Sequence, residues 1–99
     1  MSVPMTPQAA SRLIREAARE SGRIYFTAHA EKRMRERQIT RTQVIECLTG
    51  GRLTEGPAPD VHGKWTCRVE RLVAGDAVGV VVAIDRESDL VVITVFEAK

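Results

Sequence analysis

Ala77-Val78-Gly79-Val80-Val81-Val82-Ala83-Ile84, then Asp85-Arg86-Glu87-Ser88-Asp89, then Leu90-Val91-Val92-Ile93-Thr94-Val95-Phe96: two runs rich in Val and Ile, separated by a polar stretch, decide the fold class of this chain. β-Branched side chains lose freedom in a helix and pack well on a pleated surface, so both runs read as strands joined by a turn. Upstream, Trp65, Cys67, Val69 and Val73 alternate with Lys64, Thr66, Arg68 and Glu70, the pattern of a strand with one wet face. Ala74-Gly75-Asp76 supplies the turn between that strand and the 77–84 run. An antiparallel meander of three strands follows. Its middle strand, apolar on both sides, is expected to be central and covered by a helix on at least one face. Before the meander, Thr54 to Gly63 is rich in Pro and Gly and has no periodicity, so it reads as a loop joining helices to sheet.

The amino-terminal half is helical in pattern. Ala10, Leu13, Ile14, Ala17 and Ala18 fall on one side of a helix from about Pro7 to Glu20, capped by Thr6 and stopped by Ser21-Gly22. Its outward face carries Arg12, Arg15, Glu16, Arg19 and Glu20 and reads as an ordinary solvated face that adds to the basic excess. Arg23 to Phe26 suits a brief strand. Thr27 then caps a helix running to about Arg37, with a narrow apolar seam at Ala30 and Met34. Thr40-Arg41-Thr42-Gln43 fits a capping box for a third helix, which buries Val44, Ile45 and Leu48 and ends at Gly50-Gly51. The expected fold is therefore α+β: two to three amino-terminal helices on an antiparallel sheet of three to four strands. Residues 1–22 form the first amphipathic helix, continuous with a single domain over 23–99.

The chain of 99 residues can bury one core, and 43% hydrophobic with 28% charged residues is a globular mixture that excludes disorder. Met1 to Pro7 shows no basic region followed by an apolar run, and no apolar stretch reaches bilayer length, so the expected location is cytoplasmic, without membrane contact. Cys47 and Cys67 have no ligand or disulfide spacing and are expected to be buried free thiols. Residues 1–53 hold ten Lys/Arg against five Asp/Glu, whereas 54–99 hold five against eight, so the helical half is the basic half.

The run Phe26-Thr27-Ala28-His29-Ala30-Glu31-Lys32-Arg33-Met34-Arg35-Glu36-Arg37-Gln38-Ile39-Thr40, followed by Val44, resembles the opening signature of a small bacterial family, domain of unknown function 4258. Gly51-Arg52-Leu53, the Pro-containing stretch and the closing Val-rich strands extend the resemblance over roughly Ile24 to Phe96. One departure is Gln38, where the resemblance implies glycine; glutamine disfavours a left-handed cap, so this turn is expected to be built differently. The family is similar in layout to RelE/ParE-type toxins of bacterial toxin–antitoxin pairs, a likeness of fold that carries no catalytic residue with it.

His29, Arg33 and Arg37 are spaced i, i+4, i+8 and line one face of their helix. Metal-independent RNA cleavage needs a base for the 2′-hydroxyl proton, an acid for the leaving oxygen, and cations for the phosphorane charge; these three residues are the expected catalytic set. Glu36, or Arg68 and Arg71, would complete it. Lys32, Arg35, Arg41 and Arg68 are the expected nucleic-acid contacts. The structural alternatives are that His29 fixes the chain's entry into its helix, and that Arg33 and Arg37 pair with Glu36, Glu70 or Glu97. His62 reads as a solvated loop residue and Trp65 as core or interface. No metal site and no cofactor is expected, since two histidines and two cysteines stand far apart without ligand spacing. The functional expectation is a toxin-like RNA-binding domain, extending to a metal-independent endoribonuclease of a toxin–antitoxin system. Its partners would be RNA or the ribosome, and a cognate antitoxin. The alternative is a non-enzymatic protein-binding module; self-association as a homodimer is open in either case.

Overall fold

A computed structural model of the chain describes residues 5–73, 76–85 and 89–98. The order of elements is α1 (Pro7–Arg19), a short 3-10 turn (Ser21–Arg23), β1 (Ile24–Phe26), α2 (Ala28–Arg37), α3 (Arg41–Gly50), β2 (Arg52–Pro59), β3 (Trp65–Val73), β4 (Asp76–Asp85) and β5 (Asp89–Glu97). The fold is α+β, with helices preceding the strand meander. The five strands lie in the order β1-β5-β4-β3-β2. β2 to β5 pair antiparallel, and β1 joins the far edge parallel to β5, making the sheet mixed. β4 is central, as its two-sided apolar run requires.

The Thr54–Gly63 stretch corrects the sequence reading, because most of it is strand. Arg52–Pro59 forms β2 at the sheet edge, with register shifts between Leu53 and Glu55 and between Glu55 and Ala58. Proline cannot donate to a ladder but is tolerated on an edge, and irregular pairing there accommodates Gly56 and Pro57. What remains as a turn is Asp60 to Lys64, where the Asp60 carboxylate accepts the backbone N–H groups of His62 at 2.8 Å and Lys64 at 2.9 Å. The N–H of Lys64, and then that of His62, hold the Asp60 carboxyl below its ordinary value. The turns expected at Ala74-Gly75-Asp76 and Asp85 to Asp89 fall at residues 74–75 and 86–88 outside the described residues.

One face of the sheet is the core. Cys67 and Val69 of β3, Val78, Val80, Val82 and Ile84 of β4, and Leu90, Val92 and Val95 of β5 all bury there. Against them lie Ala10, Ile14, Ala17 and Ala18 of α1 and Val44, Cys47 and Leu48 of α3. α1 meets its sequence expectation: Thr6 accepts the N–H of Ala9 at 3.1 Å, and the helix ends at Arg19. The capping box of α3 forms in both directions, Gln43 N–H to Thr40 Oγ1 at 3.1 Å and Thr40 N–H to Gln43 Oε1 at 2.8 Å. Both cysteines are buried free thiols.

The junction of β1 with α2 positions the basic helix. Thr27 N–H donates to Val92 O, continuing the parallel ladder one step, while its hydroxyl accepts Ala30 N–H and donates to Ile93 O. Ile93 is the residue left unpaired where the β4–β5 register shifts, since Val81 faces Thr94 and Val82 faces Val92. The bulge thus frees the carbonyl that anchors the helix start. At the other end, Gln38 sits at φ 55°, ψ 41°, the left-handed cap that the sequence reading ruled against. Its N–H reaches the carbonyls of Arg35 and Met34, and Ile39, buried in the core, draws the chain through that turn. Burial of Ile39 outweighs the backbone preference of glutamine.

Candidate nucleic-acid interface

α2 presents most of the residues expected to act. His29 is its second residue and is exposed, and among the described residues its side chain makes no hydrogen bond or ion pair. The entry-fixing role belongs to Thr27. Arg33, half-buried, pairs with Glu36 at 3.2 Å, one turn along the helix. Arg37, Lys32 and Arg35 are exposed and, among the described residues, have no carboxylate partner. His29, Arg33 and Arg37 therefore share a face, with Glu36 already engaging the middle cation. As a reaction site this gives one titratable group and two cations, and no second acid–base group contacts His29 among the described residues.

Arg41 at the start of α3 stacks its guanidinium over the Phe26 ring, 4.3 Å from the centroid. Together with Glu31, Met34, Arg35 and Ile39 these two side chains border a depression of about 200 Å³ between α2 and α3. Arg35 and Arg41 are thus brought together. Arg68 is not with them. It lies on the second face of the sheet, where it covers the Phe96 ring at 4.1 Å and contacts Glu70 at 3.4 Å and Glu55 at 3.8 Å. Its enclosed Nε is at ion-pair distance from Glu70 without hydrogen-bond alignment. Phe96 in turn lies on Gly79, where any Cβ would overlap the ring. Arg71, the other strand arginine, holds the end of α3, donating to Glu46 O at 3.1 Å and pairing with its carboxylate at 3.5 Å. His62 is exposed in its turn, and Trp65 packs partly buried against the core.

A second group of cations was legible residue by residue but not as a group. Arg12, Arg15 and Arg19 of α1 border a cleft with Arg52, the first residue of β2. The helical pattern already placed the first three on the outward face of α1. Nothing in the sequence placed Arg52 opposite them, because the segment that carries it had no strand pattern. Among the described residues, no group of three His, Cys, Asp or Glu side chains gathers to hold a metal ion. No helix is long and apolar enough to cross a membrane.

The sequence pattern of the family described as Domain of unknown function (DUF4258) matches residues 26–97, from the end of β1 through β5. No curated protein and no solved structure matches the chain.

Proposed function

We propose that this chain, which belongs to the DUF4258 family, is a toxin-like domain that binds RNA through the phosphate backbone, using the cations of its helical side. The observation that supports this is how the cations are partnered. Beyond β2, Lys64, Arg68 and Arg71 each lie within 3.8 Å of a carboxylate. On the helical side, by contrast, Arg12, Arg15, Arg19, Lys32, Arg35 and Arg37 have no carboxylate partner among the described residues; Arg23 and Arg33 do. A cation already neutralised offers little to a phosphate, whereas a solvated one releases counterions from the nucleic acid when it binds.

The reading extends to cleavage through His29, which would take the 2′-hydroxyl proton while Arg33 and Arg37 steady the charge on phosphorus. Binding is tested by titrating labelled RNA at several salt concentrations: the logarithm of affinity should fall linearly with that of salt, by about 0.7 per phosphate contacted. Affinity indifferent to salt would remove the reading. Cleavage is tested by regulated bacterial expression, following growth and RNA integrity for the wild type and a folded His29→Ala variant. New RNA ends that vanish in the variant support it, and intact RNA with soluble protein present removes it.

A protein partner is the second reading, favoured by Tyr25 and Leu72, 54% and 81% exposed on the sheet face opposite the core. Substitution of both by Ser should then release a co-purifying protein without altering RNA affinity.

A further inference from the structure

We propose that the cleft between α1 and β2 is a track for successive phosphates of an RNA strand, followed without regard to base. The nature of the polymer rests on the RNA reading above; the phosphate chemistry of the cleft does not. The cleft has a volume of about 550 Å³. Gln8, Arg12, Arg15 and Arg19, spaced by four, three and four, form one stripe of α1 along it, and Arg52 enters from β2. Glu16 is the one carboxylate lining it among the described residues, so positive charge dominates.

Arg15 has a different task from the other three arginines. Its Nη2 donates to the carbonyl of Gly51 at 3.4 Å, holding the start of β2 against α1 and so placing Arg52, the next residue, at the cleft. The side chains of Arg12, Arg19 and Arg52 are exposed and among the described residues have no hydrogen-bond or carboxylate partner. Guanidinium groups confined to one cleft repel one another, and a bound anion relieves that repulsion. Their planar forks fit phosphate oxygens in pairs.

Two features select a chain of phosphates over a single nucleotide. From Arg12 to Arg19 the stripe rises roughly 10 Å, longer than one phosphate group. No aromatic ring lines the cleft among the described residues, so it has no platform on which a base would stack. The amino-terminal end of α1 adds the same sign of charge, because Pro7 and Gln8 border the cleft and the first turn has no acidic residue to offset the helix dipole. α1 lies outside the residues matched by the family and Arg52 inside them, so the family pattern does not by itself make this cleft.

The test uses the full chain, with circular dichroism confirming each variant's fold, and three probes: labelled single-stranded oligo(A) and oligo(U), inorganic tripolyphosphate, and oligoglutamate. Wild type should bind both RNAs within about twofold of each other. The Arg12→Gln/Arg52→Gln variant should lose about tenfold or more in affinity, with the salt slope reduced by about 1.4 for two contacts. Arg19→Gln alone should reduce the slope by about half that, which keeps the test open if the double variant does not fold. Tripolyphosphate binding should follow the same variants and be unchanged in Lys64→Gln, a cation at the end of the turn between β2 and β3 that already pairs with Asp85. Tripolyphosphate bound without RNA would uphold the phosphate site while removing RNA as the polymer. The proposal is overturned if wild type binds neither probe, if the cleft variants bind both as wild type does, or if oligoglutamate outcompetes tripolyphosphate.

Discussion

Gln38 is the one described non-glycine residue with positive φ, at 55°. An L side chain is crowded by its own backbone in that region, and glycine is not. Gln38→Gly should therefore stabilise the protein, by about 0.5–1 kcal/mol after the extra backbone freedom of glycine in the unfolded chain is counted. A urea midpoint that stays put or falls would show that the glutamine side chain compensates the strain. The two thiols make a second case. Burial pushes Cys47 up from 9.0 to about 12, with Arg71 opposing and Glu70 reinforcing the shift, and burial pushes Cys67 up to about 11. The folded state thus holds these protons more tightly than the unfolded chain. Below pH 9 both states keep them and the contribution is complete; as pH rises above 9, only the unfolded thiols ionise and stability falls progressively up to the folded values. The check is denaturation at pH 8 and pH 10.5, comparing wild type with Cys47→Ala/Cys67→Ala, whose loss over that interval should be smaller. Cys67 and Cys47 were readable as buried thiols from their spacing and local pattern, whereas the shape of the Gln38 turn was not: a local preference of about 1 kcal/mol yields to the burial of the next residue.

Among elements, α2 and α3 both start on a threonine, yet the two caps differ in reach. Thr40 exchanges hydrogen bonds with Gln43 inside its own helix, while Thr27 also bonds the carbonyl of Ile93, sixty-six residues away. Thr40→Ala should cost about 1 kcal/mol. Thr27→Ala should cost about 2 kcal/mol, since it also leaves the bulge carbonyl without its donor. Equal costs in urea denaturation would mean that the Ile93 contact contributes nothing. Both caps were legible, because a cap needs only residues within one turn. β2 was not. Its pattern is broken by Gly56, Pro57 and Pro59, and it is a strand because β3 offers it a free edge, a fact about a segment that follows it in sequence.

At the scale of the whole molecule, α1 lies outside the family match and yet completes the core, with Ala10, Ile14, Ala17 and Ala18 buried against α3 and the sheet. Full burial of Ile14 alone is worth about 2–3 kcal/mol, a large share of the 5–15 kcal/mol that holds a domain together. A chain beginning at Ser21 should therefore lose cooperative thermal unfolding and bind a hydrophobic dye. A sharp transition with little dye binding would make α1 an appendage. The same helix separates what could be read from what could not. Periodicity, capping residues and β-branched runs determined the α+β class, the central place of β4, the limits of all three helices and the basic character of the helical half, because each depends on neighbours within a few residues. The mixed edge made by β1, the strand nature of β2 and the meeting of Arg12, Arg15 and Arg19 with Arg52 were decided only in three dimensions. Those depend on which distant segments share an edge or a cleft, and pairing over such distances leaves no local period in the chain.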